Sequence, residues 1–353
     1  MSKIDFSKRE ILKYVGDFTQ LFGVKEYTLN GGRSQGVRAV DIKNGSGLEF
    51  TVLPDRCLDI AWLSYKGNNI SYISKTGIVS PQYYNESGIN FFRSFHAGFL
   101  TTCGLMNVGS PCSDNGEIFG LHGRISNTPG ENVYSDIEWV DEKPVIRVKG
   151  RMREARVFGE NMILERQITC KCGENKLIIE DKTENLGFRK EPLMILYHFN
   201  LGYPLLDEDA ILLAPTKELK PRDDDAQKGA ENYTVFQKPT PEYKEQVFYH
   251  DLKADVNGNT YVALINEKLE LGISIGFNKN ELFNLTQWKM MGEGEYVLGI
   301  EPCNCYVSGR EEAMAKGLVE YMEPGEIRRF RIEAEILDGP EQISKVKEEI
   351  SKL

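Results

Sequence analysis

The chain has 353 residues, 41% hydrophobic and 27% charged, with a formal net charge of −10 at neutral pH. That is the composition of a soluble globular protein with ample apolar material for a large core. The acidic balance argues against a nucleic-acid partner, which needs clustered Lys and Arg, but leaves room for a small anionic substrate held by one arginine. The opening stretch MSKIDFSKREILKYVG lacks the apolar core of a secretory signal. No apolar run approaches the ~20 residues of a membrane span. With seven cysteines, an odd set, these features predict reduced thiols and a cytoplasmic location.

The first predicted element is a helix. Ser7 and Glu10 have capping-box spacing, and Ile11, Tyr14, Val15, Phe18 and Phe22 fall on one face. The pattern then changes to short β-rich runs, among them LEFTVLPDR, PVIRVKGRM, KLIIEDKTEN, TYVALINEK, ELGISIGF and FRIEAEIL. Turn signals such as NGSG, CGEN, NGNT and EPGE separate them. Phe330, Ile332, Ala334 and Ile336 keep strict period two. The polar stretch KELKPRDDDAQKGAENYTVFQKPTPEY predicts a loop, with Asp223 to Asp225 as a solvated face. The tail PEQISKVKEEISKL predicts a second helix, with Pro340 near its start and Ile343, Val346 and Ile350 along one stripe.

There is no alternation of strands and helices and no Gly-rich phosphate loop after a strand, which argues against a doubly wound nucleotide fold. The expected fold class is all-β and mainly antiparallel: one large sandwich domain over residues 1–353, with short helices at the termini. Cys170/Cys172 and Cys303/Cys305 are C-x-C pairs, which on a strand share one face. Zinc sites more usually show C-x-x-C, so these read as partly buried thiols and no metal is expected.

Three residues suggest acid–base chemistry. His198 closes the apolar run of LMILYHFNLGYPLL, and His122 sits between Gly120 and Gly123, which permit unusual backbone angles or close approach. Glu301 follows the apolar run of YVLGIEPCNC, where a carboxylate is costly unless partnered or functional. A glutamate and two histidines at strand ends or turns are the parts of an acid–base pair with an orienting group. A core histidine and a turn histidine are equally fair readings of the residues alone. Candidate ligand residues are Arg56 in LPDRCLDI, Arg93 and His96 in FFRSFHAGF, Arg124 in HGRISN, and Trp288 in LTQWKMMG as a stacking platform.

Together LPDRCLDIAWLSYKG, FRSFHAGFLTTCGLMNVGS, GLHGRISN, YHFNLGYPLLDE and LTQWKMMGEGEYVLGIEPCNC resemble the aldose 1-epimerase (galactose mutarotase-like) superfamily, in its poorly characterised bacterial branch. The resemblance runs from about Gly47 to about Ile336 and implies the large supersandwich of that superfamily. By the same resemblance His122 and His198 match its two histidines, Glu301 its base, and Arg93 a substrate-binding arginine. The binding aspartate of the galactose enzymes has no matching position, and His96 and Trp288 belong to this branch alone. The implied activity interconverts sugar anomers by ring opening, with Glu301 as base, His198 as acid, His122 at the ring oxygen and no cofactor. The alternatives are another sugar isomerase, epimerase or lyase on the same fold, with or without a metal, and a non-catalytic sugar-binding protein. The expected partner is a small sugar, with no nucleic acid and no membrane. A homodimer is compatible with the sequence, which does not fix the oligomeric state.

Overall fold

A computed structural model describes residues 5–114 and 116–353. Its frame is two large antiparallel sheets, one of eight strands and one of seven, with a five-stranded sheet built from the N-terminal region. The eight-stranded sheet begins with the consecutive strands Glu131–Val140, Lys143–Ala155, Asn161–Lys171 and Lys176–Asn185, then adds Ile327–Asp338 beside the last of these. The seven-stranded sheet runs in the order Thr216–Pro221, Gln246–Leu252, Asn284–Gly292, Glu295–Cys303, Glu191–Leu201 and Glu320–Met322, and Leu100–Leu105 also pairs with Glu191–Leu201.

Period-two patterning produces this arrangement. In Lys176–Asn185, Leu177, Ile179, Asp181, Thr183 and Asn185 are buried while their neighbours are not. Phe330, Ile332, Ala334 and Ile336 are all buried, as their alternation predicts. One contiguous hydrophobic cluster takes Ile146, Leu164, Ile179 and Ile332 from the larger sheet and Ile195, Phe199, Leu298 and Ile300 from the smaller. All-β sandwich architecture therefore follows from the strand patterning. The C-terminal helix Pro340–Lys352 forms as predicted, with Ile343 and Val346 buried against Ala263, Ile265 and Leu337 on the outer side of the larger sheet. Among the described residues no helix is long and apolar enough to cross a membrane.

Two expectations are corrected. The N-terminal helix covers only Lys8–Ile11, and the Ser7 side chain makes no cap. Asp17 instead caps a separate turn, Phe18–Gln20, by accepting from the Thr19 N–H at 2.8 Å. Ile11, Val15 and Phe22 still reach the core by way of these short turns, while Tyr14 is 85% exposed. The polar stretch after Thr216 is not simply a loop. It contains the strand Thr216–Pro221 and the helix Asp224–Gly229, which Asp223 caps by accepting from the Ala226 N–H at 2.9 Å. Acidic residues suit a helix N-terminus, so the aspartate run is a start signal as well as a solvated face.

Candidate active site

Side-chain alternation on two neighbouring strands builds the site. On Glu191–Leu201, Leu193, Ile195, Tyr197 and Phe199 enter the inter-sheet core, whereas Met194 and Leu196 belong to a second apolar cluster on the opposite face. On Glu295–Cys303, Leu298 and Ile300 enter the core and Cys303 joins the second cluster. The register pairs Leu196 with Cys303 and Phe199 with Ile300, which sets His198 directly across from Glu301. Thr286 faces Glu301 from its other side. Neither His198 nor Glu301 ends its strand, contrary to the sequence reading. The strand of His198 continues to Leu201, and Pro302 stays in register with Leu285.

Residues from neighbouring loops, among them Phe91, Phe95, Gly109, Leu121 and His122, cover this face. Phe91 and Phe95 pack into the second cluster with Leu196 and Cys303. His122 enters from a turn at φ 59°, a left-handed conformation rare outside glycine. Its N–H donates to the Gly109 carbonyl at 2.9 Å, and the Gly109 N–H donates back to its Nδ1 at 3.4 Å. The flanking glycines are required for space. A Cβ on Gly120 would lie 1.8 Å from the Glu86 carbonyl oxygen, and one on Gly123 would lie 2.4 Å from that of Gly104.

His122, His198, Glu301 and Trp288 line one pocket of about 110 Å³. Nε2 of His198 is 3.1 Å from Oε1 of Glu301. The contact is a close approach rather than an aligned hydrogen bond, and Nδ1 of His198 has no partner. The rings of His122 and His198 are 6.0 Å apart, and those of His198 and Trp288 are 5.5 Å apart, edge to face. Burial pushes the Glu301 carboxyl well above the usual carboxylate range, with Glu245 adding to the rise and Arg222 opposing it. Burial, followed by the nearby His122, holds His198 well below 6.5. His122 falls to about 4 for the first of these reasons. Neutral His122 with an accepting Nδ1 carries its proton on Nε2.

The other predicted ligand residues lie elsewhere. Arg56 is fully buried, and its guanidinium donates to the carbonyls of Ser126, Val79 and Ser94 at 2.8, 2.6 and 3.1 Å. It ties loops together and does not line the pocket. Arg93 does not line the pocket: its side chain is exposed, and its neighbours Phe91 and Phe95 turn inward instead, with the exposed Phe92 at the rim. His96 is completely buried, with both ring nitrogens unpartnered, away from the pocket. Arg124 is surrounded by carboxylates. It binds Glu86, lies 3.0 Å from Glu117, and has Glu160 and Glu154 at 3.7 and 3.9 Å. Among the described residues no three His, Cys, Asp or Glu side chains are gathered so as to hold a metal ion.

Sequence reasoning missed the aromatic wall and a polar chain at the rim. The aromatic density of NFFRSF was a usable signal for Phe91, Phe92 and Phe95. The indole N–H of Trp288 donates to Glu245 at 2.8 Å, and Glu245 accepts from Arg222 at 2.9 Å. Arg222 also donates to Asp223 at 2.8 Å. Nothing in the local sequence marks that chain, because Trp288, Glu245 and Arg222 become neighbours only through strand pairing.

Residues 34–336 match the family model described as a domain of unknown function, DUF4432. The chain belongs to that family. No curated protein matches this DUF4432 member. A Klebsiella pneumoniae protein provisionally assigned as an aldose 1-epimerase shares its structure with a TM-score of 0.91 at 26% identity, covering 98% of this chain and 94% of the other. A galactose mutarotase-like protein of Clostridium acetobutylicum gives a TM-score of 0.61 at 15% identity, over 90% of this chain and 99% of that one. The galactose 1-epimerase of Lactobacillus acidophilus gives 0.60 at 14%, over 90% and 100%. The fold is thus the galactose mutarotase-like sandwich, and at 14–15% identity the likeness extends to fold alone.

Proposed function

We propose that this protein interconverts the anomers of a small sugar by acid–base ring opening, with Glu301 and His198 as the proton-transfer pair. The observation that carries this reading is the 3.1 Å approach of the Glu301 and His198 side chains, buried together in a pocket walled by aromatic rings. Burial raises the carboxyl and lowers the imidazole, and both directions favour the neutral pair with its shared proton on Glu301. That proton sits on either partner without changing the net charge of the pair.

The reaction uses both forms. With the proton on His198, the Glu301 carboxylate takes the anomeric hydroxyl proton while His198 protonates the ring oxygen. The bond from anomeric carbon to ring oxygen breaks, and the anomeric C–O bond becomes a carbonyl. The pair is left with its proton on Glu301. Rotation of the aldehyde and reversal of both transfers close the ring on the other face. No net charge accumulates in the low-dielectric pocket, which keeps the step cheap. His122 donates from Nε2 to a sugar oxygen and orients the ring. The faces of Trp288, Phe91 and Phe95 suit the C–H surfaces of a pyranose.

Glu301→Gln preserves size but removes the proton acceptor. Each positioned proton transfer typically contributes ~100- to 10,000-fold, so the variant should bind sugar by calorimetry and lose anomer exchange by about 100-fold or more. His198→Asn should lose a comparable factor, and the two losses should not add, because both groups act in one transition state. Full exchange in Glu301→Gln, followed by NMR on the sugar that turns over, would remove Glu301 from the mechanism. A wild type that binds sugar and exchanges none would leave a binding protein.

A further inference from the structure

Glu301 is hemmed in on its sheet face. Cys303 follows it on the same face of the strand, and Thr286 and His198 flank it across the neighbouring strands. The fourth adjacent position is Gly299, paired with Trp288 on one side and Asn200 on the other. Glycine in the middle of a central strand weakens it, and it often marks a close approach to the backbone. Gly299 is not among the residues with left-handed backbone angles, so its conformation is open to any residue. Space is what singles it out. A Cβ there would lie 2.5 Å from Oε1 of Glu301, 2.9 Å from Cβ of Trp288 and 3.3 Å from Cε1 of His198.

We propose that Gly299 is a positioning residue of the candidate site, whose missing side chain lets the Glu301 carboxyl fold back along its own strand and meet His198. This rests on the acid–base reading above. With a methyl group at 299, the carboxyl is pushed off its position beside Nε2 of His198 or the Trp288 ring is lifted away. Either movement spoils a contact of 3.1 Å or the wall beside it. Displacements of this size matter, since a misplacement of ~1 Å costs a reaction on the order of 100-fold.

The test compares Gly299→Ala with Gly276→Ala in the full chain. Gly276 also lies within a strand, but a Cβ there meets nothing nearer than 3.7 Å. Anomer exchange by NMR gives kcat, KM and their pH profiles, and the His198 imidazole is titrated by heteronuclear NMR. Gly299→Ala should lose about 10- to 100-fold in kcat with little change in KM. Its pH profile and His198 titration should both shift, because the nearest carboxyl has moved while His122, Arg222 and Glu245 still face the pair. Gly276→Ala should match wild type in every readout. A Gly299→Ala protein with wild-type kcat and an unmoved His198 titration overturns the proposal. Should that variant fail to fold, Gly299→Ala combined with Glu301→Ala removes the carboxyl from the contested space and leaves the 2.9 Å contact with Cβ of Trp288 to be relieved. Recovery of folding supports the clash with Glu301, and continued failure overturns it. If wild type exchanges no sugar, the reaction is at fault, and the His198 titration still decides the role of Gly299.

Discussion

Tyr197 and His198 are adjacent on one strand and face two buried polar groups of opposite character. Tyr197 points into the core, where its hydroxyl donates to Asp181 at 2.8 Å. Arg166, also fully buried there, donates to Asp181 at 2.9 and 2.6 Å, to Asp59 at 2.7 Å and to the Thr102 hydroxyl at 2.8 Å. Asp59 in turn accepts from the N–H and hydroxyl of Thr102 at 2.8 and 2.7 Å. One guanidinium serves two carboxylates, and both are hydrogen-bonded. On the other face His198 and Glu301 are as deeply buried, yet Nδ1 of His198 and Oε1 of Glu301 have no aligned hydrogen bond. A satisfied buried network holds strands together, whereas buried groups left incomplete beside a cavity retain capacity for something that enters it.

The comparison predicts that the two groups fail differently. Arg166→Met strands two buried carboxylates, and breaking such a pair costs about 3–5 kcal/mol. Urea unfolding should show that loss, or the variant should be recovered unfolded. Glu301→Gln, by contrast, gives up no aligned hydrogen bond at Oε1 and keeps the neutral form that burial favours. Its unfolding free energy should stay within about 1 kcal/mol of wild type while its exchange activity is lost.

Acid separates the two faces further. Burial lowers His122 from 6.5 to about 4, so between these values the unfolded chain binds more protons than the folded one. The His122 contribution is full above pH 6.5 and is lost as pH falls toward about 4. Asp59 has the opposite sign. Burial lifts it from 3.8 to about 6, so its contribution declines as pH rises through that window. Urea midpoints of wild type and His122→Asn should therefore converge as pH falls from 6.5 to 4, and a constant difference across that range would refute the assignment. The smallest effect belongs to Arg93→Ala. Its side chain is exposed and outside the pocket, so kcat/KM for exchange should stay within about twofold of wild type.

Much of the fold was legible because strand patterning is local. The alternation of Phe330 to Ile336 and the stripe of the C-terminal helix needed no knowledge of their partners. The helix expected from Ser7 to Phe22 shrank because Asp17 began a new turn, a competition between two short capping signals that periodicity does not weigh. Among the candidate site residues, His122, His198, Glu301 and Trp288 meet in one pocket, while Arg56, Arg93, His96 and Arg124 do not. The arginines misled for a physical reason. A guanidinium suits a carbonyl or a protein carboxylate as well as it suits a ligand, and only the surroundings decide which it meets.

By itself, then, the sequence determined the β-rich character, the alternation that gives each strand two faces, and the chemical types available for acid–base work. It also determined that His122 would sit in a glycine-flanked turn. Only the tertiary structure decided that His198 and Glu301, 103 positions apart in the chain, stand opposite one another, because strand register is set by which strands pair and where. It also decided that Arg222 and Glu245 reach the rim beside Trp288, and that the space above Gly299 belongs to a carboxyl group. Local pattern fixes the face a side chain takes, and long-range pairing fixes its company on that face.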